Sequence, residues 1–465
     1  MYIEQLYTGC LSEAAYFIES EGEAAVIDPI REPEPYLQLA ASRGAAIRYI
    51  FETHFHADFV SGHLDLSLLT GGQIVFGPGA KPRYPVRIAE DDETFQLGKV
   101  SIRAVHTPGH TPESTCYLLI DESGKEHALF SGDTLFVGDV GRPDLAIKAD
   151  SPISEEQLAG RMYDSLHQKI LPLADDIILY PGHGAGSSCG KNLGPERSST
   201  IGMQKKTNYA LQPMSREEFI RAITDGLNPP PPYYFDDARI NMQGYESITN
   251  VLDRNMKGLD IHEFEKQIAE GCLVLDTRVP DVFQKSFVPG SLNIGLNGSF
   301  AIWAGTLIPI HRALLIVAES GKEHESILRL ARVGFENVKG YLEGGMESWT
   351  RSGKKTDSIR SVSPAEFSSH QPFIGHLVLD VRKDDEFFEN RIKGAINISL
   401  DSLESRTAEL PSEAPIFLYC RSGYRSMIAA SLLMRAGFPQ IINVAGGFQE
   451  IKKTTIPLER GGVLA

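Results

Sequence analysis

Thr53-His54-Phe55-His56-Ala57-Asp58-Phe59 places two imidazoles and a carboxylate within one short stretch, directly after the apolar run Ile47-Arg48-Tyr49-Ile50-Phe51. Neutral imidazoles and carboxylates together are ligands for zinc or iron. A Phe stands at 59, directly after the Asp, where a two-metal hydrolase would need another imidazole. Three more polar groups come later: Thr107-Pro108-Gly109-His110-Thr111, Ser131-Gly132-Asp133-Thr134 and Tyr180-Pro181-Gly182-His183. Each follows an apolar strand-like run and so presents its polar group at a strand end, where α/β sites form. One such His would be structural; four strand-end signals in this order point to a metal site. A different chemistry sits in Cys420-Arg421-Ser422-Gly423-Tyr424-Arg425-Ser426, between the apolar run Ile416-Phe417-Leu418-Tyr419 and a helical segment from Arg425 to Arg435. Backbone N–H groups at a helix N-terminus and two arginines there would stabilise a thiolate and make Cys420 a nucleophile.

These groups are carried by a chain of 465 residues, too long for one ordinary core, so two to four domains are expected. The second half contains a repeat. Leu273-Val274-Leu275-Asp276-Thr277-Arg278 returns as Leu377-Val378-Leu379-Asp380-Val381-Arg382, an offset of 104 that also pairs Gly290 with Gly394 and Asn293-Ile294 with Asn397-Ile398. Arg332-Val333-Gly334-Phe335 answers Arg435-Ala436-Gly437-Phe438, and Gly344-Gly345 answers Gly446-Gly447. The order implies two copies of a domain of about 100 residues. Each alternates short β-branched runs with helical segments, the pattern of an α/β domain with a parallel sheet. In the first half, strand-like runs (Ala24-Ala25-Val26-Ile27, Ile47 to Phe51, Val100 to Val105, Ile177 to Tyr180) end in Asp, His or Gly-containing turns. Pro229-Pro230-Pro231-Pro232 is too stiff for a helix or central strand and marks a packed tail or the start of a linker. A second junction, rich in Ser, Lys and Arg, lies around Arg351 to Ser361.

A composition of 42% hydrophobic and 23% charged residues is that of a soluble globular protein, and a net charge of −16 argues against a nucleic-acid partner. Any anionic substrate must be held by locally placed cations. Five scattered cysteines (Cys10, Cys116, Cys189, Cys272, Cys420) form no CxxC pair, so neither a disulfide framework nor a thiolate zinc site is suggested. Met1-Tyr2-Ile3-Glu4-Gln5 does not lead into an apolar run as a signal peptide would, and no stretch approaches the roughly 18 apolar residues of a membrane span. The expectation is a cytoplasmic protein with no membrane contact.

The strand-end motifs resemble the metallo-β-lactamase superfamily, which implies an αββα sandwich over roughly residues 1–245. Glyoxalase II-type hydrolases of that superfamily carry THxHxDH, whose Asp and last His hold a second metal; here that His is Phe59. The remaining set of His54, His110 and Asp133, two imidazoles and one carboxylate with open positions, suits a non-haem Fe(II) that binds substrate and dioxygen together. It is similar to the persulfide dioxygenase branch, which implies one Fe(2+) per chain. His56, Asp58 and His183 would then orient the ligands or an iron-bound water, or alternatively hold a weak second metal. Arg142, in Gly141-Arg142-Pro143-Asp144, would hold an anionic substrate group or else form a surface salt bridge. Cys189, in the loop Ser187-Ser188-Cys189-Gly190-Lys191, would line the substrate entrance and take up sulfur, or else be merely buried.

The Cys420 loop resembles the active site of rhodanese, a thiosulfate sulfurtransferase, and both repeat copies look like rhodanese domains, spanning 256–352 and 361–465. Four residues separate Cys420 from Arg425, whereas cysteine phosphatases have five, and the shorter loop suits a sulfane sulfur. The resemblance makes Cys420, Arg421 and Arg425 catalytic, and Ser422, Gly423 and Tyr424 substrate-binding. Asp380 and Arg382 match the family's structural pair. Aligning Ile316-Val317 with Leu418-Tyr419 puts Ala318 at the Cys420 position and Glu323 at that of Arg425. The first copy should therefore be inactive, a spacer or docking element, with Cys272 structural.

The whole resembles persulfide dioxygenase–rhodanese fusions. This implies oxidation of a small thiol persulfide (glutathione, CoA or similar) with O2 to sulfite, sulfur transfer to or from thiosulfate, and a homo-oligomer. Two other readings stay open: a dizinc glyoxalase II-like thioester hydrolase fused to a sulfurtransferase, and a non-oxidising sulfur-carrier protein.

Overall fold

Runs rich in β-branched and aromatic residues form the strands of the first half, because such side chains fill a pleated, half-buried surface. The four runs singled out above lie in strands Glu23–Ile27, Ala46–Glu52, Val100–His106 and Ile178–Pro181. The computed structural model describes residues 1–145, 153–191, 193–227, 229–370 and 375–461. Among these, two six-stranded sheets make up the first half. In spatial order the first consists of Tyr2–Thr8, Glu13–Ser20, Glu23–Ile27, Ala46–Glu52, Gln73–Phe76 and Arg87–Ile88. The second consists of Ser199–Thr200, Ile178–Pro181, Glu126–Gly132, Thr115–Ile120, Val100–His106 and Thr94–Leu97.

Tyr16, Ile18, Phe51, Val75, Phe95, Ile102, Tyr117 and Phe130 form a buried layer drawn from both sheets. On the other face of the second sheet, Leu129 and Leu179 pack with Met162 and Phe219 from helices Glu155–Ser165 and Arg216–Thr224. Helix His63–Thr70 lies against Ala46–Glu52 and Gln73–Phe76 of the first sheet. The result is the expected αββα sandwich. Strands Glu23–Ile27, Ala46–Glu52 and Gln73–Phe76 are parallel, as are Glu126–Gly132 and Ile178–Pro181. Parallel neighbours release their chains at one edge, so Asp28 and Thr53-His54 emerge side by side, as do Asp133 and His183. The proline run is irregular and leads into helix Tyr234–Gln243, so it belongs to a packed tail.

The chain divides into two compact units, Met1–Val251 with Leu330–Phe335, and Leu252–Arg329 with residues from 336 onward. The second unit contains the repeat as two five-stranded, wholly parallel sheets of the same strand order. One is Gly258–Leu259, Val338–Leu342, Leu314–Val317, Leu273–Asp276 and Leu292–Asn293; the other is Arg360–Val362, Ile441–Val444, Ile416–Tyr419, Leu377–Asp380 and Ile396–Asn397. The 104-residue offset reappears in the bonding. Asn293 Nδ2 donates to the carbonyls of Asp276 and Arg278, as Asn397 Nδ2 does to those of Asp380 and Arg382. Arg278 and Arg382 each fork onto the Asp two residues earlier, at 2.6 Å for the Nη2–Oδ2 contact. These buried bidentate pairs fix the strand ends. No helix among the described residues is long and apolar enough to cross a membrane.

Candidate functional site

His54, His110 and Asp133 come together, each with a ligating atom within 4.8 Å of the others, and all three are buried. Each imidazole is held so that Nε2 faces the cluster. His54 Nδ1 lies 3.0 Å from the Thr53 hydroxyl, which itself donates to Asp28 at 2.8 Å, so the hydroxyl is left to accept the Nδ1 proton. His110 Nδ1 lies 2.7 Å from the Arg142 carbonyl, which can only accept. Both partners fix the tautomer with a bare Nε2, the form that binds metal. Burial, and then the neighbouring His56, drive the His54 imidazole well below its ordinary pKa and keep it neutral.

Asp133 completes the set. Its Oδ1 is 2.8 Å from His183 Nδ1, whereas Oδ2 is buried with no hydrogen-bond partner and lies 3.5 Å from His110 Nε2. A desolvated, unpaired carboxylate oxygen facing two neutral imidazoles fits a divalent cation, and a three-donor set of this kind leaves coordination positions open. Burial alone would raise the Asp133 carboxyl, but the surrounding imidazoles, His183 foremost, outweigh it and hold the group far below the ordinary carboxylate range. The approach is close enough to require glycines. A Cβ at Gly182 would stand 2.7 Å from Asp133 Oδ1, and one at Gly141 would stand 2.9 Å from His110 Nδ1.

The other imidazoles are arranged differently. His183 bridges two carboxylates, Asp133 and Asp58, at 2.8 Å each. Burial alone would lower its pKa; the two carboxylates outweigh burial and raise it well above the ordinary value. His56 is directed to the carboxylates behind the site, with Nε2 3.1 Å from Asp28 and 3.5 Å from Glu52. It therefore touches the residue that holds Thr53, rather than joining the three-donor cluster. Phe59 is buried and lies ring to ring with His56.

Burial defines two further positions, the first expected as a substrate contact or a surface salt bridge and the second as a substrate-entrance or merely buried thiol. Arg142 is buried and forks onto Asp144 (Nε–Oδ1 2.9 Å, Nη2–Oδ2 2.6 Å), so its ion pair is an internal one rather than a surface one. Cys189 is buried and lies within 4.8 Å of donor atoms of Asp58 and His183, beside the metal cluster. Burial first, then the Asp58 and Asp133 charges, raise its thiol pKa well above the ordinary value.

Sequence reasoning missed Asn241. This side chain, in helix Tyr234–Gln243, donates to the carbonyls of His56 and Phe59 (2.8 Å each) and accepts from Ser61 N–H (2.9 Å). It satisfies three backbone groups of a buried loop that forms no ladder. A lone Asn late in a helical stretch carries no sequence signal of that task.

In the second rhodanese copy, the Cys420 sulfur accepts from Gly423 N–H at 3.1 Å, where helix Tyr424–Arg435 begins. Cys420 is buried and Arg421 is exposed. Arg425 is half-buried and fixed to Glu386 by two contacts, at 2.6 and 3.0 Å. The Tyr424 hydroxyl, counted above among substrate-binding groups, is donated to the Gly295 carbonyl at 2.7 Å. In the first copy, Ala318 follows strand Leu314–Val317 as Cys420 follows Ile416–Tyr419, and Glu323 opens the next helix.

Comparison with known proteins agrees with this architecture. A metallo-beta-lactamase superfamily model matches residues 8–183, and a rhodanese-like domain model matches 260–352 and 363–454. The chain belongs to the metallo-β-lactamase superfamily, with two rhodanese-like domains following the metallo-domain. Among its relatives, the human mitochondrial persulfide dioxygenase ETHE1 is 32% identical over 218 residues, which is 46% of this chain and 76% of the relative. A probable hydroxyacylglutathione hydrolase of Schizosaccharomyces pombe is 31% identical over 183 residues, 38% of this chain and 66% of that protein. A crystal structure of a metallo-beta-lactamase from Staphylococcus aureus subsp. aureus COL superimposes with a TM-score of 0.65 at 29% identity, covering 74% of this chain and 98% of the other.

Proposed function

We propose that the chain is a mononuclear iron persulfide dioxygenase coupled to a rhodanese: it oxidises a small thiol persulfide to sulfite and transfers sulfane sulfur through Cys420. The observation that carries this reading is the three-donor cluster of His54, His110 and Asp133 beside a position, Phe59, that offers no imidazole for a second metal. The similarity to ETHE1 supports it. Bound iron would supply the activation of dioxygen and persulfide. The protein's part is to hold both imidazoles as neutral Nε2 donors, to exclude water from a buried pocket, and to keep His183 between Asp133 and Asp58 as a fixed positive group. The balanced conversion is RSSH + O2 + H2O → RSH + SO3²⁻ + 2H⁺. In the rhodanese step, sulfite attacks the outer sulfur of a Cys420 persulfide; the S–S bond breaks, thiosulfate leaves, and the Cys420 thiolate is restored. Gly423 N–H stabilises that thiolate, and the Arg421 side chain at the loop surface is placed to meet the anion.

One observation favours a two-metal hydrolase instead. Asp58, His183 and Cys189 form a second buried three-donor group, in which the thiol could replace the missing imidazole. Metal analysis combined with oxygen uptake on glutathione persulfide and CoA persulfide separates the two. About one iron per chain, and uptake abolished in His110→Ala, supports the oxygenase. Two zinc ions and thioester hydrolysis would sink it, and a metal-loaded chain that takes up no oxygen with any persulfide would leave a sulfur carrier.

A further inference from the structure

The inactive rhodanese copy touches the active one at the catalytic loop. Tyr424 is the residue after Gly423, whose N–H faces the Cys420 sulfur, and it opens helix Tyr424–Arg435. Its hydroxyl reaches out of its own copy to the Gly295 carbonyl. Its ring lies over Gly298, where an added Cβ would stand only 2.5–2.8 Å from the ring atoms. Two turns along the same helix, Ser431 Oγ accepts from Asn293 N–H at 3.0 Å. The receiving turn is itself fixed. Leu296 N–H bonds to Thr277, and buried Arg329 donates to the Leu296 carbonyl at 2.7 Å, with Gly298 O at 3.5 Å.

Resting on the sulfur-transfer reading above, we infer that Tyr424 is a positioning residue, anchored on Gly295 and Gly298 of the first copy, that sets where the Gly423 N–H points at Cys420. The copy that lost its nucleophile thus holds the helix N-terminus on which the other copy's chemistry depends. Burial leaves the Tyr424 hydroxyl protonated and able to donate. Within its own copy the loop is also fastened by Phe448 and Gln449 N–H, which donate to the Cys420 and Arg421 carbonyls, and by the Ser426 hydroxyl, 2.7 Å from Asn443 Oδ1 and 3.2 Å from the Gly423 carbonyl. These bonds hold carbonyls of the loop, whereas Tyr424 ties the residue after the Gly423 N–H to the other copy.

The test uses the full metal-loaded chain with Tyr424→Phe and, separately, Gly298→Ala, which changes no atom of the active copy. Two readouts apply: thiosulfate-to-cyanide sulfur transfer, and the pH profile of iodoacetamide alkylation at Cys420, followed by mass spectrometry of its peptide. Both variants should lower kcat, by about a hundredfold if the Gly423 N–H is displaced by about 1 Å, leave KM for thiosulfate unchanged, and slow alkylation at pH 7 more than at pH 9. Persulfide-dependent oxygen uptake should be unaltered. Unchanged kcat and alkylation overturns the inference. So does a raised KM with kcat retained, which would make Tyr424 a substrate contact, and so does a parallel loss of oxygen uptake or of the folded melting transition, which would mean general packing. Should the unmodified chain transfer no sulfur at all, the functional reading fails, while alkylation, which needs no turnover, still decides the role of Tyr424.

Discussion

The ring of Phe59 packs against that of His56, with centroids 4.4 Å apart and planes 30° apart. The side chain that occupies the place of a metal-binding imidazole thus also fixes the orientation of the imidazole three residues earlier. Phe59→His would return an imidazole directly after Asp58, whose carboxylate is already bonded to His183. The expected outcome is a rise from one bound metal per chain toward two when the variant is loaded with zinc. Burying a polar ring in a Phe site should cost about 1–3 kcal/mol of stability. Metal analysis beside a urea titration measures both; unchanged stoichiometry would mean that Cys189 or the loop blocks the second position.

His63 gives the metallo-domain an acid sensitivity of its own. Burial, and after it His56, lower its imidazole to about 3, beside Tyr84 and Phe76. In the unfolded chain a His titrates near 6.5. Below that pH the unfolded state takes up a proton that the folded state refuses, so stability is full above pH 6.5 and falls as pH drops toward 3. Between pH 7 and pH 5 the loss from this residue should be about 2 kcal/mol. Denaturant midpoints at the two pH values give the difference, and His63→Gln should make it smaller.

Glu386 carries the guanidinium of Arg425. Burial alone would raise its carboxyl; the Arg425 hydrogen bonds and charge outweigh burial and hold it below the ordinary range. The pair is therefore intact above the ordinary carboxylate pKa and is lost as pH falls through the lower folded value. Single-turnover sulfur transfer should show no loss from this pair at neutral or mildly acid pH and should drop steeply only in stronger acid. Glu386→Gln should slow transfer at every pH, by about a hundredfold if Arg425 swings away from the loop by about 1 Å. A variant with the unmodified rate would show that Arg425 is held well enough without the pair.

Ala318→Cys, introduced together with Cys420→Ser, should not restore sulfur transfer. The first copy keeps the strand, the following helix and the Asp276–Arg278 pair, but Glu323 stands at the Arg425 position and would repel both a thiolate and sulfite. Adding Glu323→Arg should make the new cysteine react faster with iodoacetamide, a change visible by peptide mass spectrometry.

The legible parts of this molecule were those in which a side-chain type had to change abruptly. Strand-end His and Asp residues stood out against apolar runs, and parallel strands then bring them to common edges without further instruction. The repeat was legible because the same Asp, Arg and Asn recur at one offset, and the structure shows that they form the same bonds. Groups acting through backbone atoms were hidden. The residue type at 142 advertises a cation, yet what touches His110 is its carbonyl, which every residue possesses. Tyr424 read as a loop residue because nothing in the local sequence says that its hydroxyl is satisfied 129 residues away. For Cys189 the sequence leaves a substrate entrance and a buried thiol both open, because a Gly- and Ser-rich stretch does not say whether its loop packs inward; the side chain is buried.

Asn241 gives the domain a practical limit that its ligands do not reveal. The superfamily match ends at residue 183, the last histidine of the site. A fragment trimmed there would contain His54, His110 and Asp133 but would leave the carbonyls of His56 and Phe59 and the N–H of Ser61 without the side chain that satisfies them. Such a fragment would be expected to bind metal weakly and to be mistaken for a chain with no affinity, although the donors of that three-residue cluster were all present and their fastening had been cut away.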